Sequence, residues 1–545
     1  IESLPFPARS PPLGCSRMQR LPRVRAPCGR RLSVSASASA PAHPPLRSLG
    51  RVPILGSLPF LPIKPSEMTT STYTLWKKLG QLHGPFFRGH FPSMGEVHII
   101  EDPFEMTKVM QMEGSYPNGV IQQQWPLYRA ARETLGWSVG GTKDSKDHGF
   151  WGQGEHWRRL RMFLQTDMLA PAAAKGYAAA LVTAAALASK GAPASGDDLE
   201  RFAARCTFDL FHAVMFGHMT RLAGGPESER AQENVICYQE TMAVFDMLMP
   251  LTSFNTREVI LGKWLGLTTP MYAKFKVHLS KVDEINRCKI DRFVERKAAG
   301  ELNEHEANSY IARAIDRQAA AAGSPSSVSI KETKELCSTA LLAAVDTTSS
   351  VLNWCLLHIA LNPKVQDALA GEVAREGICA NKLGSRAAYP YLHATLREAH
   401  RLTPAAPINL VKKNLQGPVT VHGREFPPGT TFILNTYFPG HDPERVPEPN
   451  IFDPERFLPP AEAARKGTPA AILDHTLYRA PFSAGARQCP GSRVAMLEVQ
   501  ALLLTFIRDW KIEPVDPSIT WDKVSYFQGT LVQPHMPTLR FTSRN

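Results

Sequence analysis

The stretch Phe482-Ser483-Ala484-Gly485-Ala486-Arg487-Gln488-Cys489-Pro490-Gly491 satisfies the pattern F-x-x-G-x-R-x-C-x-G at every fixed position. It sets one cysteine two residues after an arginine and two before a glycine, ahead of an apolar helical pattern running from Arg493 to Trp510. Backbone amides at the start of that helix stabilise negative charge on the sulfur, which favours thiolate over thiol. A single thiolate holding a haem iron must be shielded and held by backbone amides. The loop therefore needs glycine where the chain passes close to the porphyrin, and an arginine to meet a propionate. Phe482, Gly485, Arg487 and Gly491 supply this cradle, and Cys489 is the candidate iron ligand. Five fixed positions at average residue frequencies match by chance in a chain this long with odds on the order of 10⁻⁴. An ordinary buried cysteine is the weaker reading.

Other residues are spaced for the same chemistry. Trp157 and Arg161, in Gly154-Glu155-His156-Trp157-Arg158-Arg159-Leu160-Arg161, are four apart and share one helix face, from which both reach toward a propionate. Alone the pair is weak, because a tryptophan on an apolar stripe is more often core. Glu398 and Arg401 are three apart in Leu396-Arg397-Glu398-Ala399-His400-Arg401, and Arg456 follows in Pro454-Glu455-Arg456-Phe457. As a solvated surface pair, Glu398 and Arg401 contribute only about 0.2–0.5 kcal/mol. In Ala343-Ala344-Val345-Asp346-Thr347-Thr348 an acid and an alcohol stand beside small residues in mid-helix, as an oxygen-binding groove requires. The plain reading of such a threonine is a hydroxyl bonded back to its own helix.

In this order, from residue 157 to residue 491, the motifs resemble those of the cytochrome P-450 superfamily. The resemblance implies a mainly α fold with a small β subdomain, and haem b (iron protoporphyrin IX) held by Cys489. It implies Trp157 and Arg161 at the haem, and Asp346 and Thr347 as a proton-relay pair. It also implies a buried ion network of Glu398, Arg401 and Arg456 that supports the cysteine loop. Two positions depart from the pattern. Ala344 stands where members commonly have glycine, and Val411 followed by Lys412 stands where mitochondrial relatives tend to place an arginine for a propionate.

The run Glu113-Gly114-Ser115-Tyr116-Pro117, then Trp125 and the stretch to Trp157, resembles the animal mitochondrial-type branch. Members of that branch take electrons from an acidic two-iron two-sulfur ferredoxin served by its reductase. Docking then requires cations near the cysteine loop. Arg397 matches one basic position, His393 stands where a second lysine is usual, and Arg493 and Lys382 supplement them. Arg397, about 100° around the helix from Glu398, is expected to face solvent.

Charge is unevenly spread over the 545 residues. The first 51 hold nine arginines against one acid, Glu2, a balance of +8; the whole chain is +12, which leaves 12 − 8 = +4 for residues 52–545. The basic character belongs to the leader, so nucleic-acid binding is not indicated. An Arg-rich, Ser/Ala-rich, acid-poor leader reads as a transit peptide or disordered extension. Arg30-Arg31-Leu32-Ser33 suits mitochondrial processing and a location at the matrix side of the inner membrane, with a plastid as the alternative. Residues 52–545 read as one catalytic domain. The nine cysteines form no C-x-x-C and no Cys/His zinc spacing, which suits free thiols in a reducing compartment.

Helical patterns dominate from Phe104 to Arg401, with loops at Lys190–Asp198 and Ala320–Ser329. A helix is expected at Thr69–Leu82, and strands at Phe86–Arg88, Val97–Ile100, Val419–Val421 and Thr431–Asn435. The apolar stretch Leu336–Leu361 carries Asp346, Asn353 and His358, so it reads as a buried central helix and not a membrane span. Lys263-Trp264-Leu265-Gly266-Leu267 is expected to meet a membrane surface peripherally. These features together point to a monooxygenase acting on a lipophilic substrate, a sterol, steroid or secosteroid by branch resemblance. The alternatives are a haem-thiolate isomerase or dehydratase, against which Asp346 and Thr347 argue, a non-catalytic haem sensor or carrier, and a microsomal-type enzyme using a flavoprotein reductase. The walls expected near Leu341, Ala406, Ile408 and Leu531 are merely apolar and name no substrate.

Overall fold

The 3.6-residue periodicity is expressed as a series of helices that wrap one central helix. In chain order the longer ones are α1 (Thr72–His83), α2 (Pro103–Gln111), α3 (Pro126–Thr134), α4 (Gly154–Met168), α5 (Ala178–Lys190), α6 (Leu199–Phe216) and α7 (Gln232–Leu248). They continue as α8 (Pro270–Ala298), α9 (Tyr310–Ala320), α10 (Ile330–Leu361), α11 (Pro363–Glu376), α12 (Pro390–Leu402) and α13 (Ser492–Asp509). The structure, a computed structural model, describes residues 45–544 apart from 54, 65–66, 68–69, 92–93, 119–125, 135–148, 193–197, 225–230, 249–250, 252–257, 259–260, 263–264, 325–326, 408–410, 480–481 and 529–530.

Helix α10 begins in a capping box: the Ser329 hydroxyl accepts from Glu332 N, and the Glu332 carboxylate accepts from Ser329 N. It runs 32 residues, about 48 Å, and Pro363 closes it. It packs against α6, α8, α12 and α13, and its residues are buried on nearly every side, as a helix apolar all round requires. By length and composition α10 and the stretch Pro171–Lys190 are apolar enough to cross a membrane, and α10 is the more completely buried within the fold. One stripe of α10 is more open. Ala340, Ala343, Ala344, Thr347 and Val351, spaced at helical intervals, are only half-buried between fully buried neighbours.

The main sheet has the order β1 (Phe86–Phe91), β2 (Gly95–Ile100), β6 (Thr431–Leu434), β3 (Val411–Lys413). Strand β2 pairs antiparallel with β1 and parallel with β6, in the register His98 to Phe432. Alternation along the strands sends Phe87, Val97, Ile99 and Ile433 to one apolar cluster, and Phe86, Ile100, Phe432 and Leu434 to the other. Smaller hairpins pair β4 (Val419–Val421) with β5 (Arg424–Phe426) and β8 (Tyr526–Gln528) with β9 (Val532–Pro534), while β7 (Trp510–Pro514) pairs with β10 (Leu539–Ser543).

This is the mainly α architecture with a small β portion that the sequence leads one to expect. The compact unit begins at Pro45. Arg47 and Leu49 add backbone pairing to Arg88 of β1, and the Leu49 side chain is buried in the sheet's apolar cluster. The first helix starts at Thr72, after the expected Thr69, which lies outside the described residues.

Candidate active site

The cysteine loop is built from short-range constraints. Cys489 N donates to the Phe482 carbonyl at 3.0 Å, closing the loop, and Gly491 caps α13. Gly485 has φ +76°, a left-handed conformation that only glycine adopts cheaply. Gly491 has an ordinary φ, but a β-carbon there would stand 4.0 Å from the cysteine sulfur. Burial pushes the Cys489 thiol up, while the Gly491 amide and the Arg161 guanidinium draw it down. Iron coordination requires the deprotonated sulfur, so these two donors act in the direction of ligation.

Around the sulfur the described residues gather more cations than anions. Arg161 is buried on α4, donates to Gln165 Oε1 at 3.2 Å, and forms no ion pair among the described residues. Arg487 lies with its guanidinium 3.8 Å from the Trp157 ring centre and donates to the Pro117 and Gly152 carbonyls. Burial is the main cause that pushes Arg487 down to about 9; nearby Glu113 opposes this and Arg161 adds to it. Glu113 is already paired with Lys412 at 3.0 Å, with side chains 4% and 5% exposed. The group Arg161, Arg487, Lys412 and Glu113 thus has a surplus of two positive charges beside Cys489. A porphyrin carrying two propionates complements that surplus, so the residues present fit haem.

Lys412 also bears on the departure at Val411. It stands one residue after the expected arginine and is turned into the interior on β3, where it neutralises Glu113. Nothing local in the sequence marks this pair, although both partners lie in segments already singled out.

On α10, Thr347 is half-buried on the open stripe and its hydroxyl donates to the Ala343 carbonyl at 3.0 Å. Ala344 lies on the same stripe, with its methyl where a glycine would leave space. Asp346 is buried on a different face. Its carboxyl is pushed up to about 7, chiefly by burial and then by Asp246 of α7, while a bond from Gln533 Nε2 at 2.7 Å draws it down. Neither Asp246 nor Gln533 was picked out from sequence, because nothing local marks them.

The trio Glu398, Arg401 and Arg456 comes together. Arg401 binds Glu398 in bidentate fashion, with Nε and Nη2 each at 2.7 Å from a carboxylate oxygen, and its Nη1 donates to the Gly440 and Pro449 carbonyls. Glu398 also accepts from Asp453 N at 2.9 Å and meets Arg456 Nε at 3.5 Å. The network ties α12 to the segment 440–456.

The expectation that Arg397 faces solvent is corrected. Its side chain is 12% exposed, lies 4.2 Å from the Phe457 ring centre, and pairs with Glu462 and with Asp474 at 3.3 Å. The segment 457–474 folds over that side of α12 and supplies both carboxylates. His393 is lowered to about 4, first by burial and then by Arg386 and Arg397, so it adds no charge at neutral pH. Lys382 is paired with Glu376 at 2.9 Å. Arg493 on the first turn of α13 is exposed and without an ion-pair partner among the described residues, as is Arg158 on α4, which the sequence reading passed over. Leu341 and Leu531 are buried and Ala406 half-buried, while Ile408 lies outside the described residues. Lys263 and Trp264 also lie outside them; Leu265 and Leu267 are 61% and 54% exposed.

The Cytochrome P450 family model matches residues 46–539, so the chain belongs to that family. It is a haem b monooxygenase, and its fold is the P450 fold. Sterol 26-hydroxylase, mitochondrial, of Rattus norvegicus is 28% identical over 493 residues, covering 86% of this chain and 84% of the relative. The 25-hydroxyvitamin D-1 alpha hydroxylase, mitochondrial, of Mus musculus is 25% identical over 447 residues, covering 79% and 80%. By contrast, Flavonoid 3',5'-hydroxylase of Eustoma exaltatum subsp. russellianum is 33% identical over only 176 residues, 31% of this chain. The full-length similarity is thus to the animal mitochondrial-type branch.

Proposed function

We propose that this chain hydroxylates a sterol or secosteroid, with Cys489 as iron ligand and with electrons from a two-iron two-sulfur ferredoxin and its reductase. When bound, thiolate-held haem supplies oxygen activation, and donation from the sulfur favours O–O cleavage. The chain's own residues prepare for it. Arg161 and Arg487 anchor the propionates, Trp157 supports the Arg487 guanidinium, and the Gly491 amide steadies the sulfur. The Ala343–Thr347 stripe keeps a groove open, and Asp346 and Thr347 manage protons there. Glu398, Arg401 and Arg456 hold the frame beneath the loop.

The observation that carries this reading is the surplus of two cations, buried Arg161 and half-buried Arg487, beside a cysteine whose loop opens directly onto a helix N-terminus. The names of the full-length relatives favour sterols and secosteroids over other lipids. They also favour mitochondrial residence, with residues 1–44 as the body of a removable leader and the catalytic domain following it. Exposed Arg493 and Arg158 are the surface cations proposed to meet the acidic ferredoxin. Exposed Leu265 and Leu267 suit shallow contact with a lipid surface.

The test is turnover with ferredoxin and its reductase against a panel of sterols, secosteroids and fatty acids, with products identified by mass spectrometry. Single-oxygen products from the sterol or secosteroid members are expected. Fatty-acid products alone would replace the substrate assignment, and activity only with a flavoprotein reductase would replace the electron donor.

A further inference from the structure

Asp346, Ser350 and Trp354 follow at i, i+4 and i+8 along α10 and so share one face, about 100° around from Thr347. Strand β9 covers that face. Ser350 Oγ and Trp354 Nε1 both donate to the Val532 carbonyl, at 2.9 and 2.8 Å. The next residue, Gln533, donates from Nε2 to Asp346 Oδ1 at 2.7 Å. The strand is fixed from its other side too, since Val532 N donates to the Ala405 carbonyl at 2.8 Å and Val532 pairs with Gln528 of β8. Gln533 is therefore a donor set in place by a docked hairpin.

A buried carboxylate is ordinarily held by a cation. Among the described residues Asp346 has no ion-pair partner. The charged group that faces it is another carboxylate, Asp246 at the solvent edge of α7, with Arg201 of α6 beyond. From β9 it meets only the neutral amide.

We propose that Gln533 is the positioning residue of the proton relay. Its amide fixes one carboxylate oxygen of Asp346 and leaves the other to take a proton from the Asp246 side and release it toward the groove beside Thr347. This rests on the relay reading given under Proposed function. In each passage a proton moves from water to the Asp346 carboxylate, and the resulting acid gives it up, so Asp346 ends as it began. Donation to the ionised form also sets the pH at which the proton is held.

The experiment uses holoenzyme reduced photochemically, so that neither substrate nor redox partner has to be known. Hydrogen peroxide released per O2 consumed is followed across pH. Wild type is expected to show a break where Asp346 titrates, the proton-loaded form being present below it and lost above it. In Gln533→Leu the reduced-CO spectrum should be kept and the break should move up by about one to two pH units, since a bond favouring the ionised form is lost. Gln533→Asn, whose amide is one methylene shorter, should move it the same way by less, and it serves where the leucine variant fails to hold haem. Asp346→Asn should abolish the break. A Gln533→Leu profile superimposed on wild type, with the break absent from Asp346→Asn, would overturn the positioning role alone. A break that survives in Asp346→Asn would overturn the relay reading and this inference with it.

Discussion

The cysteine loop and the centre of α10 have opposite electrostatics. Around Cys489 the described residues set three cations, Arg161 and Lys412 buried and Arg487 half-buried, against one carboxylate, an arrangement that an anionic group completes. Around Asp346 the chain sets one carboxyl against another, with an amide between helix and hairpin and, among the described residues, no paired cation. The loop is charged to hold something permanently. On the helix, burial and then Asp246 push the Asp346 carboxyl up to about 7. Low dielectric strengthens both designs, because water is not there to screen them.

The largest break in the comparison is the ligand itself. Cys489→Ala should abolish the thiolate-haem carbon monoxide spectrum altogether, since the other described cysteines sit in helices or on the surface away from this loop. The next concerns the frame under the loop. Glu398→Ala strands buried Arg401 without its carboxylate and leaves Arg456 only Asp453 at 3.8 Å, and removing one partner of a buried pair costs about 3–5 kcal/mol. Holoenzyme yield and denaturant midpoint should both fall sharply, whereas a fully haem-loaded, wild-type-stable variant would make the network peripheral.

On the oxygen side the expected effects are smaller and kinetic. Thr347→Ala should leave the haem spectrum intact while peroxide released per O2 rises about tenfold, because the hydroxyl orders protons and not iron. Normal coupling would confine that hydroxyl to its bond with Ala343.

The smallest effect separates two arginines that the sequence treats alike. Arg493→Glu should slow the first reduction by ferredoxin about threefold at low ionic strength, with the difference fading as salt is added. Arg397→Ala should instead lose about 2 kcal/mol of stability, because Glu462 and Asp474 each lose one of two arginine partners, Arg386 and Arg465 remaining, and should leave ferredoxin-dependent reduction near the parent rate. Stopped-flow reduction over a salt series, run beside urea unfolding, distinguishes the two. A slow but stable Arg397 variant would return that residue to the docking surface.

Arg397 also shows where sequence reading fails. Its position on the helix follows from 3.6-residue geometry, and that geometry points it away from Glu398. Whether that direction is solvent depends on the path of the segment 457–474, which covers it. Glu113 and Lys412 are 299 positions apart, and Gln533 is 187 positions from Asp346. No periodicity links residues so far apart, and each taken singly looks ordinary.

The sequence by itself determined the candidate iron ligand, the glycine the loop needs, the helix that follows, and the candidate acid and alcohol of α10. Those depend on backbone conformation and on neighbours within a few residues, which the chain specifies locally. Only the tertiary structure decided which cations stay free, which carboxylate neutralises Lys412, and which donor holds Asp346. Burial and long-range pairing fix charge, and both arise when distant segments exclude water from the same place.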